Sequence, residues 1–487
     1  MNENDRSNDL EPLDYIFSVE ILNEGVDIVE VNQVIMLRRT ESPIVFVQQL
    51  GRGLRKAEGK EYVVILDFIG NYTNNFMIPI ALSGDRSYNP DTIRKYVISG
   101  NNTIPGSSTV HFDEVAKDKI FASIDKIRGM KAIIKESYIS LKNRLGRIPY
   151  LLDFYENGEI DPLVIIREYK TYQAFLESVE KELYSGKLSA DEVITLEYLS
   201  KTILIGARPY ELEILRNLLI NGEITFDRMN KAFIDNYGYE INLDSFNDAI
   251  GVLQGKFVSK EEEYKKYCHM DIVSLDNDRK LNRLESFAKR ILHEEFSKQI
   301  DDIVEVGLRR YKDKYSYSLD NESPFVLYEK YSRRDVSLLM NCGKDLSSTM
   351  YGMKRIGDDT FIFVTYHKES AEDQEYVDGK PDYADAFEDN IIFKWDSQIG
   401  RGVDSSYVVD VVEAKRKHLF VKKSDAETSF YYIGQFDVVD VKPATKKDNN
   451  GKERDITKMR MKMHHAVRED LLRYLQSKLP EIEENVV

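Results

Sequence analysis

The stretch Gln48-Gln49-Leu50-Gly51-Arg52-Gly53-Leu54-Arg55, with Asn23-Glu24-Gly25-Val26-Asp27-Ile28-Val29 upstream of it, decides how the chain is read. The later segment has the spacing Q-x-x-G-R-x-x-R. Two arginines three apart on a helix share one face. A guanidinium keeps its charge and meets phosphate oxygens through a planar fork. Arg52 and Arg55 are therefore candidates for stabilising charge on the outer phosphate of a nucleotide. A solvated helix face is the plain alternative, and Glu24-Gly25-Val26-Asp27 at its distance upstream favours the functional choice. Around these segments, apolar strands are predicted at Tyr15–Val19, Val31–Leu37 and Tyr62–Phe68, with a helix near Ile44–Leu54. Continuous apolar strands alternating with helices predict a parallel sheet covered on both faces. Functional groups then gather beyond the carboxyl ends of the strands.

The two segments resemble motifs V and VI of the second RecA-like domain of superfamily 2 (DEAD/DEAH-box type) helicases, over residues 10–85. The chain beyond Asp67-Phe68-Ile69-Gly70-Asn71 looks like the domain of unknown function appended to one group of bacterial helicases. The resemblance implies that Arg52 and Arg55 act as finger residues and that Gln48 and Gly51 line a nucleotide cleft. It implies that Gly25 and Asp27 couple the nucleotide state to the bound strand, with ATP and Mg2+ as cofactors of the complete enzyme. The chain departs from the family in lacking a usable phosphate loop, G-x-x-x-x-G-K-[ST], and a D-E-x-[HD] motif. Ser185-Gly186-Lys187-Leu188 and Asn450-Gly451-Lys452-Glu453 contain Gly-Lys without an upstream glycine or a following hydroxyl. The implied molecule is the C-terminal portion of a helicase, not competent to hydrolyse ATP alone. Its missing first RecA-like domain would be a partner domain or subunit.

Composition bounds the rest. The chain has 487 residues, 42% of them hydrophobic, enough for two to four domains with real cores. Cys268 and Cys342 are the only cysteines, so there is neither a disulfide framework nor a zinc spacing, and no metal site is expected. Scarce cysteine agrees with a cytoplasmic protein. No run of about 18 apolar residues exists to span a membrane. The formal net charge is −16, so contact with nucleic acid has to come from local basic patches.

Residues 84–109 are rich in Gly, Pro, Ser and Asn and read as turns and linker, with a short helix from Asp91 to Ile98. From Phe112 to Arg310 the pattern is helical, with Ile120, Ile124, Ile127 and Met130 forming an apolar stripe. Leu145-Gly146-Arg147-Ile148-Pro149 breaks a helix. Between Ile203 and Phe257, helices at Glu211–Leu219, Phe226–Tyr237 and Leu243–Leu253 precede an apolar edge at Lys256-Phe257-Val258. That order suggests a winged-helix unit, with a plain helical spacer as the alternative. The period then changes. Phe361–Tyr366, Ile391–Trp395, Tyr407–Val412, His418–Val421 and Phe430–Phe436 read as strands of a small β-rich barrel-like domain. Lys446–Lys452 reads as a charged loop, and Arg460–Leu475 as a closing helix.

The expected architecture is thus multidomain α/β plus α plus β. It comprises a partial RecA-like parallel sheet over 10–85, a helical winged-helix-like region over 110–310, a β-rich domain over 325–445 and a C-terminal helix over 455–487. Within the β-rich part, Lys415-Arg416-Lys417, with Trp395 and Tyr432, is a candidate DNA-binding set, because cations meet phosphates and aromatic faces stack on bases. Asp410 and Glu413-x-Lys415 imitate the carboxylate and lysine arrangement of metal-dependent nucleases. Their spacing is shorter than that arrangement uses. Three functions stay open at this point: the helicase portion, a non-catalytic DNA-binding or substrate-reading module, and a nuclease.

Overall fold

The structure is a computed structural model that describes residues 15–17, 31–37, 46–47, 50, 60–68, 75–99, 110–125, 130–158, 160–277, 279–316, 323–367, 376–377, 380–381, 385–424, 427–447 and 452–477. It divides into two compact units, Met1–Ser140 with Asn157–Asp161, and Leu141–Glu156 with Pro162–Val487.

In the first unit, strands β1 (Gln33–Met36) and β2 (Val64–Asp67) pair in parallel, Gln33 opposite Val64 and Met36 opposite Asp67. The parallel sense agrees with the alternation of strands and helices in the sequence. Ile35 and Leu66, however, stay exposed on this two-stranded sheet, so a sheet buried on both faces is not what the described residues form. A helix over Met77–Ser83 stops at Gly84, whose φ of 69° suits a residue without a Cβ. The helix at Pro90–Ser99 begins on its proline, where the missing N–H costs nothing. Ile78, Ile80, Ile93, Val97, Ile120 and Ile124 are buried in this unit.

The second unit begins with helices. Helix α1 (Tyr210–Asn221) is followed by β3 (Glu223–Thr225), α2 (Phe226–Tyr237), α3 (Leu243–Leu253), β4 (Val273–Leu275) and β5 (Lys280–Arg283). The three strands form an antiparallel sheet in the order β3-β5-β4. The expected apolar edge at Lys256–Val258 is not a strand; the sheet is completed further along the chain. The Thr225 and Asn242 side chains cap α2 and α3 by accepting from Arg228 and Ser245 N–H groups. The long helix α4 (Glu294–Arg310) buries Phe296, Ile300, Ile303, Val304 and Leu308. A Cβ on its Gly307 would lie 2.7 Å from a Leu212 methyl, so this glycine lets α1 and α4 approach.

The remainder is one large mixed sheet and a separate two-stranded pair. Its strands are β6 (Lys330–Tyr331), β7 (Met353–Ile356), β8 (Asp359–His367), β9 (Tyr376–Val377), β10 (Lys380–Pro381), β11 (Ala386–Phe387), β12 (Ile392–Asp396), β13 (Arg416–Ser424), β14 (Phe430–Lys447) and β15 (Glu453–Met463). The order is β11-β12-β15-β14-β13-β8-β7, with β6 added beside β14 and the β9-β10 pair apart. Only β13 and β8 run parallel; the other pairs are antiparallel. Three expectations change here, the first being that Lys446 and Lys447, expected in a charged loop, end strand β14. Tyr407–Val412 lies in helix α6 (Ser406–Glu413), after α5 (Arg333–Leu339). Arg460–Leu475 is strand to Met463 and helix only in α7 (Glu469–Gln476).

Alternation along the central strands feeds two cores on opposite faces. Ile362, Val364, Leu419, Val421, Tyr431 and Ile433 face one core, closed by Val408 and Val411 of α6 and by Leu471, Tyr474 and Leu475 of α7. Phe361, Phe363, Phe420, Phe430 and Tyr432 face the other, closed by Val336 and Leu339 of α5. The first core also collects Met353 from β7 and Phe387 from β11, the two edge strands, so it runs the full width of the sheet. Where β13 meets β14 the register slips opposite Gly434, whose φ is 122° and whose added Cβ would press on Leu327 at 3.0 Å.

Candidate nucleic-acid interface

Arg52, Arg55, Gln48, Gly51, Gly25 and Asp27 lie outside the described residues. The candidate residues of the β-rich part are all described, and they separate into two groups.

The aromatic members are inside. Trp395 is 3% exposed, stacked 6.1 Å from the Tyr407 ring and opposite Met459 on β15. Tyr432 is 1% exposed, and its hydroxyl meets His418 Nδ1 at 3.0 Å. Neither ring offers a face to a base in this structure, because both sit at inward positions of the strand alternation.

The basic members are on the surface but committed to the protein. Lys415 pairs with Asp358 at 2.7 Å. Arg416 grips Asp359 through two bonds of 2.7 and 2.6 Å. Lys417 donates to the Ala414 carbonyl at 2.5 Å and lines a cleft of about 360 Å³ with Val412, Asp437, Val438 and Asp440. Burial would raise the Asp359 carboxyl, but the hydrogen bonds from His418 and Arg416 hold it below the usual carboxylate range. The nuclease-like acids do not converge either. Asp410 is bound to Arg355 at 3.1 Å, and Glu413 is exposed at the end of α6. Among the described residues no group of three or more His, Cys, Asp or Glu is placed to hold a metal ion.

A different basic surface is built by β12, β14 and β15. Along β15, Met459, Met461 and Met463 point to the first core, while Lys458, Arg460 and Lys462 alternate with them and are exposed. Cross-strand rows extend that face. Lys458 lies between Asp396 and Lys442, Arg460 between Lys394 and Asp440, and Lys462 between Ile392 and Asp437. Further out, Lys446 stands opposite Arg454. Acidic neighbours offset part of the charge. Glu388 meets Arg460 at 2.7 Å and Lys394 at 3.3 Å, and Asp440 meets Lys442 at 2.7 Å. Strands β12, β14 and β15 together nevertheless hold eight Lys and Arg against five Asp and Glu. The sequence signal was Lys458-Met459-Arg460-Met461-Lys462-Met463, a strict period of two that marks a strand rather than the closing helix expected there.

The helical region presents no such surface on α3. Its Ser245, Phe246, Asp248, Ala249, Ile250, Val252 and Leu253 are buried, and it carries neither lysine nor arginine. Asp248 accepts from the Arg208 guanidinium at 2.6 Å and from the Gly343 N–H at 2.8 Å, which ties α3 to the segment after α5.

Two family models match the chain: a domain of unknown function (DUF8090) over residues 134–313, and a domain of unknown function (DUF3427) over residues 325–475. No curated protein matches it. Similar solved structures include SUVH6 of Arabidopsis thaliana in complex with SAM, at 11% identity and a TM-score of 0.21, covering 36% of this chain and 33% of that one. KRYPTONITE in complex with mCHG DNA and SAH is 10% identical with a TM-score of 0.20, covering 34% of this chain and 38% of that one. The sulfur binding domain and SRA domain of ScoMcrA, complexed with phosphorothioated DNA, is 8% identical with a TM-score of 0.20, covering 55% and 88%. Scores of this size assign no fold. The chain spans about a third of the length of the first two proteins.

These matches correct the helicase resemblance. Both matching family models are domains of unknown function, and no helicase family is detected, so the helicase, ATP-binding and hydrolase assignments are withdrawn. The short segments at Gly25–Asp27 and Gln48–Arg55 carried the motif resemblance, and a few residues in order are weak support without the surrounding domain. The expectation of ATP, Mg2+ and a missing helicase domain rested on the same segments. Among the described residues, no helix is long and apolar enough to cross a membrane.

Proposed function

We propose that the second unit is a non-catalytic DNA-binding module that grips the sugar-phosphate backbone through the outer face of β14 and β15. The observation that carries this reading is the direct opposition of like charges, Lys442 across from Lys458 and Lys446 across from Arg454. Like charges directly opposite on a sheet destabilise it, and a polyanion converts that cost into binding by releasing its own counterions. Beyond β12, residues 443–447 and 453–457 continue as a two-stranded ribbon, which has the dimensions to enter a major groove. The net charge of −16 sharpens the contrast, since this patch is basic within an acidic chain. Two of the similar structures contain DNA, which agrees with this reading without carrying it.

In the same proposal, the unit from α1 to β5 is a winged-helix variant used as a scaffold. Its strand order and its helix-strand-helix-helix-strand-strand sequence support the comparison. The burial and acidity of α3 argue against a reading role for that helix. The experiment is fluorescence anisotropy of a labelled duplex over a KCl series, with the chain and its Lys442→Glu/Lys458→Glu/Lys462→Glu variant. Tight binding by the unaltered chain that strengthens at low salt, lost in the variant, supports the reading. Equal binding by the two proteins overturns it.

A further inference from the structure

We propose that Tyr351 and Gln398 form a platform for one unpaired nucleobase beside the basic ribbon, Tyr351 stacking on its face and Gln398 meeting its edge. This inference rests on the DNA-binding reading above and adds to it the kind of DNA that the module prefers. Tyr351 lies two residues before β7 and is 62% exposed, unusual for an aromatic ring whose neighbours in the chain are so firmly held. Its carbonyl accepts from Met353 N–H at 2.9 Å and from Gln398 Nε2 at 3.2 Å. The next residue, Gly352, has φ of 74° and gives its carbonyl to Phe363 N–H at 2.7 Å. A Cβ on Gly352 would lie 2.7 Å from the Tyr407 hydroxyl and 2.9 Å from Gln398 Nε2, and with the positive φ this turn favours glycine.

The ring itself is backed on one side. The Arg333 guanidinium lies 5.1 Å from the Tyr351 centroid while also covering Phe363 and Phe430. A cation behind a ring restricts its motion, and a ring already fixed loses little entropy when a base stacks on it. Gln398 commits one amide N–H to the Tyr351 carbonyl and remains exposed, which leaves its amide oxygen for a donor on a base edge. Ile399 and Arg401, also exposed, flank it. The platform adjoins the ribbon through the backbone. Ser397 N–H donates to the Thr457 carbonyl and Gly400 N–H to the Asp455 carbonyl, both at 2.8 Å, so the loop after β12 continues along β15. A strand whose phosphates lie on β14 and β15 would bring its bases within reach of this loop. A stacked duplex hides the faces of its bases, so the platform selects single-stranded or locally opened DNA.

The test compares a single-stranded oligonucleotide with the duplex of the same sequence. Tyr351→Ala is expected to weaken single-strand binding by about tenfold, within the range for one stacked base, and to change duplex binding little. Tyr351→Phe keeps the affinity. Tyr351→Trp adds an exposed indole to a chain whose only tryptophan, Trp395, is buried, and its emission is expected to be quenched by saturating single strand. Wild-type affinity in Tyr351→Ala, or unchanged Tyr351→Trp emission at saturation, overturns the platform. If the triple glutamate variant binds normally while Tyr351→Ala does not, the ribbon fails and the platform stands. Absence of binding to either form of DNA overturns both.

Discussion

His418 Nε2 and Asp359 Oδ1 stand 2.9 Å apart between adjacent parallel strands, with both side chains buried. The imidazole lies nearly parallel to the Phe361 ring at 5.0 Å, and its other nitrogen meets the Tyr432 hydroxyl. Arg416 then closes on both carboxylate oxygens. This chain of bonds explains why Arg416 and Tyr432, which look like DNA contacts in the sequence, are occupied with holding β8 to β13.

Removing the carboxylate should leave His418 and Arg416 without their anion. Asp359→Ala is expected to lower unfolding free energy by roughly 3 kcal/mol in urea denaturation. Because the folded carboxyl lies below its ordinary range, its contribution is present above the unfolded value and lost as pH falls through the folded one. The wild type should therefore lose stability at acid pH more steeply than the variant. A variant with wild-type stability would remove the network from the account of this fold.

Asp302 gives the opposite sign. It accepts from the Leu151 and Leu152 N–H groups at 2.5 and 2.8 Å, yet burial pushes its carboxyl up to about 7. The folded state then binds more protons than the unfolded one between about pH 4 and pH 7. Stability from this group is complete below the unfolded value and declines as pH rises, by up to about 1.4 kcal/mol per pH unit. Asp302→Asn should flatten that slope, measured by thermal melts across the interval. An unchanged slope would mean that the carboxyl is ionised in the folded chain.

Trp395 packs with Tyr407 and Met459, so its fluorescence should be blue-shifted and insensitive to added DNA. Trp395→Ala should destabilise by about 3–5 kcal/mol, as for other large-to-small changes in a core. Quenching of the wild-type emission by an oligonucleotide would return Trp395 to the binding surface.

For the ribbon, each phosphate contact removed should lower the salt dependence of duplex binding by about 0.9 in the logarithmic slope. Lys458→Gln is expected to show that loss with thermal stability equal to or slightly above that of the wild type, since the residue is exposed and faces Lys442. Lys415→Gln, whose amine is held by Asp358, should change the slope less. The reverse ranking would place the contact at the start of β13.

Much of the local structure was legible. Helices at Phe226–Tyr237 and Leu243–Leu253 agree with α2 and α3. The strands at Phe361–Tyr366 and Phe430–Phe436 were visible as β-branched and aromatic runs. Two misreadings have separate causes. Tyr407–Val412 fits a strand by residue type, yet Ser405 caps it as a helix and Val408 and Val411 fall on one helical face. At Lys458–Met463 the strict alternation marks a strand, but methionine, lysine and arginine are good helix formers and the chain runs on into the helix at Glu469–Gln476.

By itself the sequence determined the kind of most elements, because helical and strand periods and capping residues act within a few positions of the chain. It also determined that any basic surface had to be local, since the total charge is acidic. Only the tertiary structure decided which cations remain available. Lys415 and Arg416 are drawn to Asp358 and Asp359, at the start of a strand far away in sequence, and Lys442 to Asp440, while strand pairing places Lys458 between Asp396 and Lys442. Ion pairing and cross-strand register depend on distances through space, and no spacing along the chain records them.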